Sequence, residues 1–331
     1  DGSITKTEYD AAGRVEAEID ANNNRTEYGY DAAGRRTSVQ DAKGNIHTFD
    51  YDADGNLIEE TDALSHATSY TLNSLDQKTQ TTYMDSSSVQ QNFDGLGRRL
   101  SQTDQVSIST HYAYDNLGRL TKVTDTEGNE TTFTFDEAGN KLTQTDAENR
   151  TTSWTYDSAG RVLTRQLPEG QSESFTYTIS GNVDTQTDFN GNVTSYTYDS
   201  TDRMTRIDYH DATFETFSYD NEGNRTSVTN SEGTTSYEYD SLNRLTKETQ
   251  AAGSILEYQY DAVGNKVETK VTNGSTITIE AYAYDSLNRL ETVTDANSGL
   301  TTYGYDSVGN RTSVSYPNGT STTYAYDALN R

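Results

Sequence analysis

The chain has 331 residues, 31% of them hydrophobic, with 52 acidic against 25 basic side chains and a net charge of -27. So small an apolar share excludes a large conventional core, because soluble domains run to roughly 45–50% apolar residues. Acids spread along the whole chain disfavour a phosphate backbone, so no nucleic-acid partner is expected. No cysteine is present, which removes disulfides, thiolate chemistry and cysteine-ligated zinc. Low hydropathy with high charge would ordinarily signal disorder, but 25 Tyr and only 2 Pro argue for an ordered structure built on aromatic residues. No run approaches the roughly 18 apolar residues of a membrane span, and nothing at the start resembles a signal peptide.

Read from its beginning, the chain repeats itself. Marker residues at positions 9, 30, 51, 72, 93, 114, 135, 156, 177, 198 and 219 fall 21 apart, and further markers follow at 239, 260, 284, 305 and 326. A period held from end to end identifies a repeat architecture and outranks local motifs. The expectation is a single array, residues 1–331, of about sixteen repeats of 21 residues, truncated at both ends. All markers are Tyr or Phe except Leu72, and the next residue is Asp except at Asn73 and Thr178.

Three residues beyond that Asp comes Gly, as in Tyr30-Asp31 with Gly34, Tyr114-Asp115 with Gly118 and Tyr156-Asp157 with Gly160. Where Gly is replaced, the substitutes are Asp76, Asp202, Asn243, Asn288 and Asn330, all types that tolerate positive φ. Asp-x-x-Gly is therefore predicted to be a type I turn whose acid accepts backbone N–H bonds and whose Gly closes a β-hairpin. The next residue is Arg or Asn in every repeat but one, as at Arg35, Arg119 and Arg161, with Gln77 the other case. It is expected to reach its own Asp or a carbonyl of the neighbouring hairpin. Loss of the Asp predicts distorted turns at Asn73 and Thr178.

A second turn follows about ten residues later, as in "DAKGN" from Asp41, "DTEGN" from Asp125 and "DFNGN" from Asp188. Between turns lie strands of about six residues, roughly 20 Å of extended chain. Aromatics two apart, such as Tyr28 and Tyr30 or Trp154 and Tyr156, place both rings on one face. Sixteen hairpins give about 32 strands, and so long a twisted sheet must coil, split or close. The fold class is all-β, with repeated hairpins in one long antiparallel sheet.

The stretches "YDAAGRRTSVQDAKGN", "YDNLGRLTKVTDTEGN" and "YDSAGRVLTRQ" resemble the YD repeats of the RHS (rearrangement hot spot) family, over essentially the whole chain. The resemblance implies a sheet that spirals into a hollow shell, as in bacterial RHS polymorphic toxins, the shell components of Tc toxins, and teneurins. In the toxins the shell encloses a cytotoxic C-terminal segment, and the family implies a secreted or cell-surface location. The self-cleaving core of the toxins has no counterpart in these residues, since Pro168 and Pro317 sit in no such context. The expected function is a non-enzymatic wall of a shell. Its expected partners are the remaining repeats of the same protein, an enclosed passenger, and other copies meeting end to end through unpaired edge strands. The alternative is an adhesion module recognising glycan or protein through exposed aromatics and acids.

Other motifs weigh little. Asp50, Asp52 and Asp54 imitate the start of an EF-hand loop, but Thr61 stands where the bidentate acid belongs. They and the turn acids Asp125 and Glu127 are the calcium candidates, against the preferred reading of solvated turn residues with no cofactor. His47, His66, His111 and His210 share no ligand spacing, and no hydrolase elbow, phosphate loop or zincin motif occurs.

Overall fold

The computed structural model describes residues 4–331, and these form 31 strands and no helix. No helix is therefore long and apolar enough to cross a membrane. All strands belong to one antiparallel sheet, one fewer than two per repeat implies. The difference lies at the last repeat, where Tyr324 and Tyr326 stand outside strand structure and no strand follows the turn.

The 21-residue period resolves into a five-residue turn, a five-residue strand, a second five-residue turn and a six-residue strand. Residues 31–35, Arg36–Gln40, residues 41–45 and Ile46–Tyr51 show the plan. Both turns close alike, with the Asp N–H donating to a carbonyl four residues on and the fourth residue's N–H donating back to the Asp carbonyl. The slot predicted to be left-handed is so, from Gly34 at φ 85° to Asp76 at 59° and Asn288 at 58°. Only the first turn carries an adjacent bulge: Tyr30 faces Arg36 while Gly29 faces Ser38, so Thr37 is the extra residue. The second turn joins Gln40 to Ile46 and Val39 to His47 in unbroken register.

Two repeats depart from this length, and both do so at the second turn. Arg225–Asn230 and Gly233–Tyr239 are joined by two residues, as are the longer Lys266–Asn273 and Thr276–Tyr284. These account for the steps of 20 and 24 residues between markers.

The chain forms two compact units, one made of residues up to Val89 with Glu238–Thr249 and Gly253–Arg331, the other of Gln90–Tyr237 with Gln250–Ala252. In the second unit the aromatics flank an exposed residue, as Trp154 and Tyr156 flank Thr155. Hydroxyls pair across its strands, Thr134 with Thr143 at 2.6 Å and Thr176 with Thr185 at 2.7 Å. In the first unit, among the described residues, only Ala17 and Val314 are buried hydrophobics. Stability therefore comes from ladder bonds, cross-strand pairs at roughly 0.2–1 kcal/mol each, and half-buried rings. The outermost strands, Lys6–Tyr9 and Ser321–Thr323, pair on one side with Val15–Ile19 and Arg311–Ser315, and the sheet is not closed.

Candidate functional site: a clamp repeated along the first turns

Every first turn but those at Asn73 and Thr178 places an acid, a left-handed slot and a basic or amide residue within five positions. Asp31 Oδ1 accepts the N–H groups of Ala33 and Arg35 at 2.9 Å, and its Oδ2 accepts Arg35 Nε at 2.7 Å. Asp115 repeats this with Leu117 and Arg119, and Asp157 with Ala159 and Arg161. The backbone N–H of the Arg, followed by its guanidinium, holds the carboxyl of Asp31 below its ordinary value, and Asp157 is held low in the same order. In Asp115 the same Arg N–H leads. These acids are ionised turn-closers.

The guanidinium also leaves its own hairpin. Arg35 Nη1 donates to the carbonyl of Asp52 at 2.8 Å, seventeen residues on, while its Cζ lies 4.9 Å from the centre of the Tyr51 ring. Arg119 does the same to the Asp136 carbonyl and the Phe135 ring, at 2.6 and 5.1 Å. Arg14, Arg98, Arg203, Arg244 and Arg289 donate likewise. Arg161 stacks 4.5 Å from Tyr177. One side chain thus closes its own turn and grips the next, through a charge-assisted bond and a cation–π contact. The expectation of a reach to the Asp or to a neighbouring carbonyl is met by both at once.

Asn in the same place works over a shorter span. Asn56 Nδ2 bonds Asp52 at 3.2 Å and Asp76 Oδ1 at 3.0 Å. Asn182 reaches Asp202, Asn265 reaches Asn288, and Asn310 reaches Asn330.

The marker tyrosine completes the clamp through its hydroxyl, which sequence reasoning missed. Tyr30 donates to the carbonyl of Val15 at 2.8 Å, Tyr51 to Arg36 at 2.9 Å, Tyr114 to Arg99 at 2.9 Å and Tyr156 to Lys141 at 2.8 Å. The acceptor always sits beside the previous hairpin's bulge. A bulge takes a carbonyl out of the ladder, and the hydroxyl fifteen residues on supplies its partner. The spacing is fifteen residues in these cases and eighteen at Tyr284, which donates to Lys266 across the longer repeat, and this near-regular spacing was the available signal.

The turns without Asp are not distorted, contrary to expectation. Asn73 Oδ1 accepts the N–H groups of Leu75 and Gln77 as an Asp would, and Thr178 Oγ1 accepts that of Asn182. An amide or hydroxyl oxygen serves because the turn needs an acceptor and not a charge.

The calcium candidates are not brought together. Asp50 lies in a strand opposite Glu59, Asp52 is engaged by the N–H groups of Asp54 and Asn56, and Asp54 is exposed. Asp125 is engaged in the same way by Glu127 and Asn129. Among the described residues no three acids or histidines gather to hold a metal. His66 pairs with Asp62 at 3.2 Å and His47 stacks on Phe49 with centroids 5.4 Å apart.

Within the first unit a further set of contacts joins distant repeats. Second turns early in the chain meet first turns near its end: Asn22 bonds Asp261 at 2.9 Å, Lys43 bonds Asp285 at 2.8 Å, and Ser307 Oγ donates to the Ala63 carbonyl at 3.3 Å. Burial of Asp285 opposes its ionisation, but Lys43 and then Arg289 outweigh this and hold its carboxyl at about 2. A cleft of about 520 Å³, lined by Lys6, Glu18, Asp20 and Asn288 among others, lies along this seam.

The RHS Repeat family model matches residues 2–46, 51–86, 93–130, 117–151, 135–172, 219–255, 239–276, 284–321 and 305–331. A comparison with curated proteins gave no match. Among solved structures, the crystal structure of TcdB2-TccC3 without its hypervariable C-terminal region is similar, with a TM-score of 0.55 and 16% identity over 94% of this chain. A Tc holotoxin pore from Photorhabdus luminescens aligns over 94% of this chain at 15% identity, with a TM-score of 0.39. The chain spans 23% of the former's length and 25% of the latter's. The clamp recurs along the first turns, and the family model matches the chain along most of its length, which makes this chain a member of the RHS repeat family.

Proposed function

We propose that the chain is a non-enzymatic wall segment of a shell that encloses a passenger, in a secreted or cell-surface bacterial protein. The observation that carries this reading is the use made of the recurring polar residues: acid, arginine and tyrosine are spent joining each hairpin to the next, as Asp31, Arg35 and Tyr51 show. The likeness in fold to TcdB2-TccC3, a protein described with a hypervariable C-terminal region, supports a variable passenger. The remaining repeats of the same protein are the other partner, and no cofactor takes part. In the full-length product the passenger should resist a protease that digests it readily once the wall is opened by denaturant. Cleavage in the native protein as fast as that of the free passenger would sink the reading.

A second reading, a recognition surface, is favoured by leucines at first-turn tips. In the second unit Leu96 and Leu117 are 81% and 74% exposed, and apolar tips in so polar a chain suit a contact surface. Binding of this chain to a glycan array or to a surface protein supports that reading. Concentration-dependent mass in light scattering would instead indicate copies meeting end to end.

A further inference from the structure

We infer that the residue after each first-turn slot and the slot of the following repeat form a two-letter matching code by which a hairpin selects its neighbour on the sheet. This concerns how the wall is put together and holds whether or not it encloses a passenger.

The code is visible in the pairing of types. Every Arg that precedes another repeat is followed, in that repeat, by Gly: Arg14 by Gly34, Arg98 by Gly118, Arg161 by Gly181, Arg289 by Gly309, and likewise after Arg35, Arg119, Arg203 and Arg244. Asn is followed by Asp or Asn: Asn56 by Asp76, Asn182 by Asp202, Asn224 by Asn243, Asn265 by Asn288 and Asn310 by Asn330. One mismatch exists, Asn140 before Gly160, and Gln77 before Gly97 belongs to neither class.

The geometry explains the pairing. The Arg lies within 4 Å of the place a Cβ would take at five of the eight following slots, Gly34, Gly55, Gly118, Gly181 and Gly309, and leaves Gly139, Gly223 and Gly264 clear. A Cβ at Gly118 would stand 3.9 Å from Arg98 Cδ, and one at Gly55 or Gly309 would stand 3.9 Å from Nη1 of Arg35 or Arg289. A methyl group only touches the guanidinium there, but a longer side chain has to share the ground it occupies. Asn is too short to reach that carbonyl and turns its amide to the following slot instead; at Gly160 a Cβ would stand 3.2 Å from Asn140 Oδ1, which has to turn its Nδ2 toward an incoming acceptor. The following slot then needs a side chain that can both adopt positive φ and accept a hydrogen bond, which restricts it to Asp or Asn. Those acceptors receive Nδ2 of Asn56 at 3.0 Å, of Asn182 at 2.8 Å and of Asn310 at 2.9 Å. Reach and vacancy go together, and so do shortness and an acceptor.

The second unit supplies both cases, so one protein tests the code. Gly118→Asn and Gly160→Asn insert the same side chain into left-handed slots at φ 82° and 78°, the first behind an Arg and the second behind an Asn. Hydrogen exchange of the flanking hairpins and the melting temperature of the full chain are the readouts. Gly160→Asn is expected to slow local exchange, and Gly118→Asn to speed it, each by roughly five-fold. In an Arg98→Asn background Gly118→Asn should reverse sign and protect. Should Gly118→Asn fail to fold, recovery of folding by the added Arg98→Asn supports the code. Asn140→Arg gives the converse arm, turning Gly160 from mismatch to match, so Gly160→Asn must then become harmful. The inference is overturned if Gly→Asn has the same effect behind Arg and behind Asn, in either background.

Discussion

Arg119 Nη1 lies 2.6 Å from the backbone carbonyl of Asp136 while its Nε lies 2.7 Å from the carboxylate of Asp115, so one guanidinium ties together two successive turns. The planar fork with fixed donors makes this double duty possible, and an ammonium cannot reproduce it. Arg119→Lys should therefore behave nearly as Arg119→Ala. Both should lower the melting temperature by a few degrees, with the loss of hydrogen-exchange protection concentrated in the hairpins of residues 109–145. Protection restored to wild-type level by Lys would show that charge alone is needed.

The tyrosine hydroxyls make a separate claim. Tyr198 donates to the carbonyl of Val183 at 2.9 Å, so Tyr198→Phe should cost about 1 kcal/mol in denaturant unfolding. Phe135 has no hydroxyl to offer its preceding bulge, and Phe135→Tyr should gain up to about 1 kcal/mol. If the Tyr198 variant unfolds with the wild type, the bulge carbonyl has another partner.

Backbone conformation can be separated from crowding at Gly13, a first-turn slot that no preceding Arg serves. Its φ is 79° and nothing lies within 4 Å of the position a Cβ would take. Gly13→Ala should cost about 1 kcal/mol through backbone strain alone, and Gly13→Asn less, because Asn tolerates this region. Equal losses for both would show that the slot is not selecting for backbone conformation.

Acid should weaken the seam of the first unit. The Asp285 carboxyl, held at about 2, lies below its ordinary value. Its contribution is thus complete above about pH 4 and is lost as pH falls toward about 2, where the folded carboxylate also takes a proton. Lys43→Ala removes the cation that lowers it and should move the loss to higher pH. Titration of the Asp285 carboxyl by NMR checks this, and an unchanged midpoint in the variant would count against the pairing.

Much of this was legible because each signal was local. Period, turn and slot follow from Asp31 and Gly34 alone, since a left-handed residue and its acceptor lie within four positions. The two destinations of Arg35 could be named but not chosen between, because sequence does not say how far the next carbonyl lies. The Tyr51 hydroxyl bond was hidden because it depends on a bulge at Arg36–Thr37 that no residue type announces. Contacts such as Lys43 with Asp285 were out of reach altogether, since 242 residues separate them and no local pattern announces the pairing. The expectation of broken turns at Asn73 and Thr178 treated charge as essential where any acceptor oxygen suffices.

The two turns of a repeat differ in how freely their length has drifted. Every first turn keeps five residues, whereas the opposite margin carries two-residue links at residues 231–232 and 274–275 and, at Lys266–Tyr284, a hairpin longer by three residues than the period allows. Grafting room in this scaffold is therefore one-sided. A foreign loop spliced between Gly274 and Ser275 would be displayed while every Asp–Arg grip stays intact, whereas the same splice beside Arg289 would unfasten the hairpins on both flanks.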